Sequence, residues 1–265
     1  MAALKRRGAM ENAEVIALIE AKLEQAKTDA RVSTMKAKKA VAAARLDSEM
    51  ERKLTEVTDQ RVADKVEIKR ATALFVDKSS SMMQAIEVAK QLAALISAVI
   101  TADFHVYAFD TAAFEIKAPI EAGARPAFSD WEQAFQLIKA DGRTSIGCAL
   151  AKMTKERVYA EQIVLVTDEG ENTAPTFKEA WTDYRREMHV APGVLIVKVG
   201  GAYAPFERGL REQGIEMTAY QFSGDSYALP NLLPLLALPS HAELVDRIMS
   251  YELPRRPDVK VKAAS

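Results

Sequence analysis

One cysteine, Cys148, stands among 265 residues, so neither an internal disulfide nor a thiolate-cluster zinc site can form, and the composition suits a reducing compartment. Residues 1–70 hold no proline, no aromatic residue and a single glycine, Gly8; all 10 prolines come later. A long hydrophobic run is also missing. The longest, Leu92 to Ile100, is broken by Ser97 and falls short of the roughly 20 residues that a spanning helix needs. Behind the basic opening Lys5, Arg6 and Arg7, the acids Glu11, Glu14 and Glu20 interrupt the place of a signal-peptide core. Net charge is small, −1 from 36 Lys+Arg and 37 Asp+Glu, which argues against electrostatic wrapping of nucleic acid by the whole chain. These absences predict a soluble cytoplasmic protein with no membrane partner.

What is present divides near residue 70. The first 70 residues carry 16 basic and 12 acidic side chains, the remainder 20 and 25. Val15, Leu18, Ile19 and Leu23 recur at helical spacing, Met35, Val41 and Leu46 mark a weaker helix, and a third is expected from Asp47 to about Val62. With few large apolar residues these helices bury little area by themselves. Residues 1–66 therefore read either as a charged helical segment packed on the main domain or as a docking element for another chain. Lys36, Lys38, Lys39 and Arg45, with Arg31, read first as a solvated helix face. No aromatic residue accompanies them, so any nucleic-acid contact there would be to backbone phosphate.

Residues 67–265 alternate short apolar runs with amphipathic stretches. Strands are expected at Ala71–Asp77, Phe104–Phe109, Ala113–Lys117, Gln162–Thr167, Val194–Val199 and Ile215–Phe222. Helices are expected at Met82–Thr101, from a cap at Asp130 to Lys139, and over Ser145–Val158, Thr176–Glu187, Ala204–Gln213 and His241–Tyr251. Strands alternating with helices predict an α/β fold, a doubly wound and mostly parallel six-stranded sheet preceded by the helical segment.

The first strand runs into Asp77, Lys78, Ser79, Ser80 and Ser81, and the strand at 162–167 into Asp168 and Glu169. Ligands of open α/β folds bind at that carboxyl edge, where the strand order reverses. If these strands are neighbours there, the loop Asp141–Thr144 adds a third hydroxyl, and oxygens of Asp77, Ser79, Ser81, Thr144 and Asp168 converge. Two carboxylates so close repel or share a proton unless a hard cation joins them, and an all-oxygen set suits Mg2+. Glu169 and Glu171 are candidates for a supporting shell. Serine capping of the helix at Met82 accounts for one hydroxyl at most. No general base for a serine nucleophile is evident, since His105, His189 and His241 fall away from this edge. A Gly-x-x-x-x-Gly-Lys phosphate loop is absent, and Gly200-Gly201 lacks the third glycine of a dinucleotide fingerprint. The expectation is a binding protein, not an enzyme.

Asp77-x-Ser79-x-Ser81, Thr144 in a glycine-containing loop and Asp168 in Thr-Asp-Glu resemble the three pieces of the metal-ion-dependent adhesion site of von Willebrand factor A domains, in that domain's order of elements. Arg31 to Ala37, Gly142 to Leu150, Val166 to Glu171 and Tyr184 to Met188 look like the C-terminal part of the Ro ribonucleoprotein (TROVE domain) family, over residues of about 12 to 225. In that family a ring of HEAT-like helical repeats precedes the A domain and binds small non-coding RNA. Only the end of such a ring would fit in residues 1–66, so the resemblance implies a separate helical-repeat chain as partner, RNA held through that partner, and an acidic side chain of a protein ligand at the metal. Arg143 stands where the family usually has a second glycine, and Ser145 where an acid is common. The rival readings keep the fold: an adaptor for a cytoplasmic AAA+ ATPase or complex assembly without RNA, or a metal-dependent hydrolase.

Overall fold

The computed structural model describes residues 66–251, apart from 122, 202 and 203. The helices expected before residue 66, with the Lys36 to Arg45 cluster, lie outside the described residues. The first strand, β1 (Thr72–Asp77), is buried along its whole length. It is followed by α1 (Met83–Val99), β2 (Phe104–Phe109), β3 (Ala113–Glu115), α2 (Phe128–Ala134), α3 (Gly147–Glu156) and β4 (Gln162–Thr167). Then come α4 (Phe177–Met188), β5 (Gly193–Val199), α5 (Ala204–Glu212), β6 (Met217–Phe222), a 3-10 helix (Ser226–Leu232), α6 (Leu233–Leu236) and α7 (His241–Met249).

The six strands form one sheet in the order β3-β2-β1-β4-β5-β6. All neighbours are parallel except β3, which turns back on β2 as a hairpin. Alternation along β1 feeds two cores: Leu74 and Val76 face Leu92, Ile96 and Trp131 on one side, while Ala73 and Phe75 face Ile146, Leu150, Phe177 and Tyr184 on the other. Helices cover both faces because both are apolar. Cys148 is buried in the second core, where desolvation pushes its thiol up to about 12, so it serves as a small core residue. The chain walks outward from β1 to β3, then crosses to β4 and walks the other way. The reversal therefore falls between β1 and β4, whose register pairs Val76 with Val166.

Several expected boundaries are corrected. Asp130 is not the cap of α2 but its third residue: Ala127 is the cap, and its N–H donates to Asp130 at 2.7 Å. That helix stops at Ala134 instead of Lys139, because the chain turns through Phe135 to Ile138 and delivers Asp141 to Lys78, N–H to carbonyl, at 2.7 Å. The helix expected from Ser145 starts at Gly147, and the last strand starts at Met217. The helical turns over 226–236 went unforeseen, since Pro230 and Pro234 mask their period, yet Leu229, Leu232, Leu233 and Leu236 are buried in the first core. Arg70 ties this tail to the start of β1 through the carbonyls of Leu236 (3.3 Å) and Leu238 (2.7 Å). Among the described residues no helix is long and apolar enough to cross a membrane.

Candidate metal centre

Because β1 is buried on both faces, the residue that ends it, Asp77, is carried into the interior at the point of reversal and is fully buried. Its carboxylate takes the Ser79 N–H at 2.9 Å on one oxygen and the Thr167 hydroxyl at 2.7 Å on the other. Burial pushes the Asp77 carboxyl above its ordinary value; the hydrogen bonds from Thr167 and Ser79 oppose this, and the charge of Asp168 adds to it. No salt bridge reaches Asp77 or Asp168 among the described residues. Among the described residues, hydrogen bonds alone hold the negative charge there.

The other predicted residues lie on the three loops that adjoin it. Ser79 is buried, whereas Ser81 is exposed and its hydroxyl lies 3.3 Å from Asp168 Oδ2, joining loops that are 87 residues apart in sequence. Neither serine caps α1, whose cap is Met82 with no side-chain hydrogen bond, so capping does not account for their hydroxyls. The loop bearing Thr144 is clamped between both strand ends. Gly142 carbonyl accepts from the Ser80 hydroxyl at 3.1 Å, and Thr144 N–H donates to Asn172 Oδ1 at 3.1 Å. Asp168 is fixed in turn, its Oδ1 accepting from Gly170 N–H at 2.9 Å.

Other candidates have different roles. Glu171 does not face Asp77: its carboxylate accepts from Ile146 N–H (3.0 Å) and Phe177 N–H (2.8 Å), stapling the starts of α3 and α4. Burial raises its carboxyl above the ordinary value against those bonds. Glu169 is fully buried with a left-handed backbone, φ 67°, its N–H on Thr167 Oγ1 at 3.0 Å. Its charge helps hold the Lys198 ammonium above its ordinary value, after the hydrogen bond from Lys198 to Glu207. Ser145 is buried and donates to the Pro175 carbonyl at 2.8 Å, so a structural bond takes up its hydroxyl. Lys78 turns away to an ion pair with Asp110. His105 sits second in β2 and His189 at the carboxyl end of α4, away from this edge.

Sequence reasoning missed Thr167 and Asn172. Thr167 was legible as a polar residue that follows the apolar run Ile163–Val166 beside Asp77, and it both donates to Asp77 and accepts from Glu169. Thr167→Val is expected to cost about 1–3 kcal/mol, because a buried carboxylate loses a donor. Urea unfolding checks this; a wild-type midpoint would mean that the bond contributes nothing.

The donor set fits a hard cation. Its atoms are carboxylate and hydroxyl oxygens, and no group of three or more His, Cys, Asp or Glu among the described residues is arranged to hold a metal. The residues that would hold the ion are Ser79, Ser81 and Thr144, with Asp77 and Asp168 directly or through water.

No family model matches the chain, and no curated protein does. Among solved structures, the Ro (RSR) protein of Deinococcus radiodurans aligns over 83% of this chain and 48% of its own, at 16% identity and a TM-score of 0.55. A von Willebrand factor type A protein from Catenulispora acidiphila aligns over 65% of this chain and 42% of its own, at 17% identity and a TM-score of 0.47. Proximal thread matrix protein 1 of the mussel byssus, solved with a zinc-occupied MIDAS motif, aligns over 65% and 48%, at 15% identity and a TM-score of 0.47. The chain thus spans less than half the length of each. At such identities the likeness is one of fold: the chain shares the α/β fold of the aligned part of the Deinococcus Ro protein, doubly wound about a mostly parallel six-stranded sheet.

Proposed function

We propose that this is a non-enzymatic binding protein whose carboxyl edge holds a divalent cation, Mg2+, and uses it to capture an acidic side chain of a protein partner. One observation carries the reading. A fully buried Asp77 lies at the strand reversal with Asp168 and three hydroxyl-bearing residues on the adjoining loops, and no cationic side chain pairs with either carboxylate among the described residues. A bound Mg2+ supplies a hard, positively charged position open to an incoming carboxylate. The chain's part is preorganisation: Thr167 and the Ser79 N–H orient Asp77, Gly170 N–H orients Asp168, and Asn172 fixes the backbone of Thr144.

We further propose that the chain belongs to a cytoplasmic Ro-like particle, in which a helical-repeat chain joins residues 1–66 and holds a small non-coding RNA. The motif resemblance over residues 142–150 and 166–171, together with a fold likeness to the Deinococcus Ro protein that spans 83% of the chain, supports this placement.

A native pull-down of the tagged chain tests it, with wild type compared against Asp77→Ala and against deletion of residues 1–66. The expected result is recovery of a helical-repeat protein with a small RNA, lost on the deletion. Recovery of an ATPase without RNA would overturn the Ro-like placement in favour of an adaptor.

A further inference from the structure

We infer that the proposed metal edge carries a second, cationic contact for its partner, supplied by Arg143, and that the captured segment presents two neighbouring carboxylates. This rests on the metal reading above and adds the partner's chemistry to it.

The loops that leave the carboxyl edge contain three cationic residues among the described residues, Lys78, Lys139 and Arg143. Lys78 is committed: its ion pair with Asp110 is largely buried, with side chains 13% and 16% exposed, and its ammonium lies 5.6 Å from the centre of the Phe114 ring. Lys139 and Arg143 lie on the loop that carries Thr144, are exposed, and make no ion pair among the described residues. Of the two, Arg143 directly adjoins Thr144.

The backbone beneath Arg143 is held on both sides. Asp141 N–H donates to Lys78 carbonyl at 2.7 Å, and Thr144 carbonyl accepts from the N–H groups of Asn172 and Thr173, each at 3.0 Å. Gly142 has φ 85°, and a Cβ there would lie 3.3 Å from Asp110 Cβ, so a side chain is strained at that position, between the exposed Asp141 and Arg143. A cation at this position has a fixed origin and a free end.

Charge counting gives it a use. Asp77 and Asp168 balance a divalent ion, so one incoming carboxylate alone leaves a net charge of −1, and with Arg143 counted two carboxylates leave that same charge. A second carboxylate on the same segment meets an exposed guanidinium whose planar fork matches it in two parallel hydrogen bonds. Because the backbone is already ordered, little entropy is lost in forming that contact. A protein segment is the occupant chosen over RNA: residues 78–82, 139–144 and 168–173 include no aromatic side chain on which a base could stack, and the exposed ring nearby, Phe114, lies against the Lys78 ammonium.

The test uses the full chain and two end-blocked peptides, one bearing a single aspartate and one bearing two aspartates separated by a glycine, titrated with and without Mg2+. The two-acid peptide is expected to bind about threefold to tenfold more tightly than the one-acid peptide. Arg143→Gln removes that preference, with one-acid binding still present and still dependent on Mg2+, and Arg143→Lys retains part of it. An equal preference in Arg143→Gln, or none in the wild type, overturns the inference. If peptide binding ignores Mg2+ and Asp77→Asn but still falls with Arg143→Gln, the metal reading fails and the Arg143 contact stands. An oligonucleotide with a 5′-phosphate that outbinds the two-acid peptide with the same dependence on Arg143 overturns the choice of a protein segment.

Discussion

With Mg2+ saturating, Asp77→Asn is expected to unfold well below the wild type, and with the ion chelated to unfold at the same temperature or above it. Two opposed contributions meet at this residue. Asp77 is a fully buried carboxylate whose charge is balanced by no cationic side chain among the described residues, so without an ion its burial works against the fold. Asparagine keeps an oxygen for the Ser79 N–H and a polar group for Thr167, while the buried charge disappears. With the ion the balance reverses, since only the wild type gains binding energy, about 2.7 kcal/mol at an ion concentration near 100 times Kd. For a domain of this size that is roughly 5–11 °C in melting temperature. Thermal unfolding of both proteins in Mg2+ and in chelator measures the crossover. Parallel melting of the two in both conditions would remove Asp77 from the cation site.

Gly147→Ala is expected to damage fold and site together. A Cβ at Gly147 would fall inside contact distance of the Thr176 and Pro175 carbonyls, which are backbone and cannot swing aside. Overpacking of this kind costs about 1–3 kcal/mol, and more where the obstacle is rigid. Here it is rigid: Glu171 holds Ile146 and Phe177 together, and Ser145 is bonded to Pro175 at 2.8 Å. Pushing α3 away from that loop moves the strand of backbone that positions Thr144. A lowered urea midpoint with weaker Mg2+ binding is the expected pair of results. Wild-type stability in Gly147→Ala would contradict the packing account.

The sheet was legible because its central strands carry short buried apolar runs between amphipathic stretches, so β1, β4 and the long α1 declared themselves by period and run length. The candidate site was legible for a related reason. A strand buried on both faces can carry a carboxylate only at its end, and two such ends, at Asp77 and Asp168, invited the same explanation. What was hidden depends on distant backbone. Asp130 resembled a cap because its side chain does satisfy the start of α2, but from the third position and not the first. Glu171 resembled a supporting acid for the metal because of its place in Thr-Asp-Glu-Gly-Glu, whereas its carboxylate is used by two helix starts that adjoin only after folding. Ser145 is likewise consumed by Pro175, 30 residues away. The turns at 226–236 were masked by prolines, Pro230 inside the 3-10 helix and Pro234 in the first turn of α6.

In the proposed function Asp77, Ser79, Ser81, Thr144 and Asp168 form one oxygen-lined site for a divalent ion. Water-proton relaxation during a Mn2+ titration of the full chain tests it most directly, because bound and free Mn2+ relax water differently and Mg2+ can be added as competitor. The account predicts a single saturable site per chain, displaced by Mg2+ and lost in Asp168→Asn as well as in Asp77→Asn. Binding that survives both substitutions, or no binding in the wild type, would contradict it.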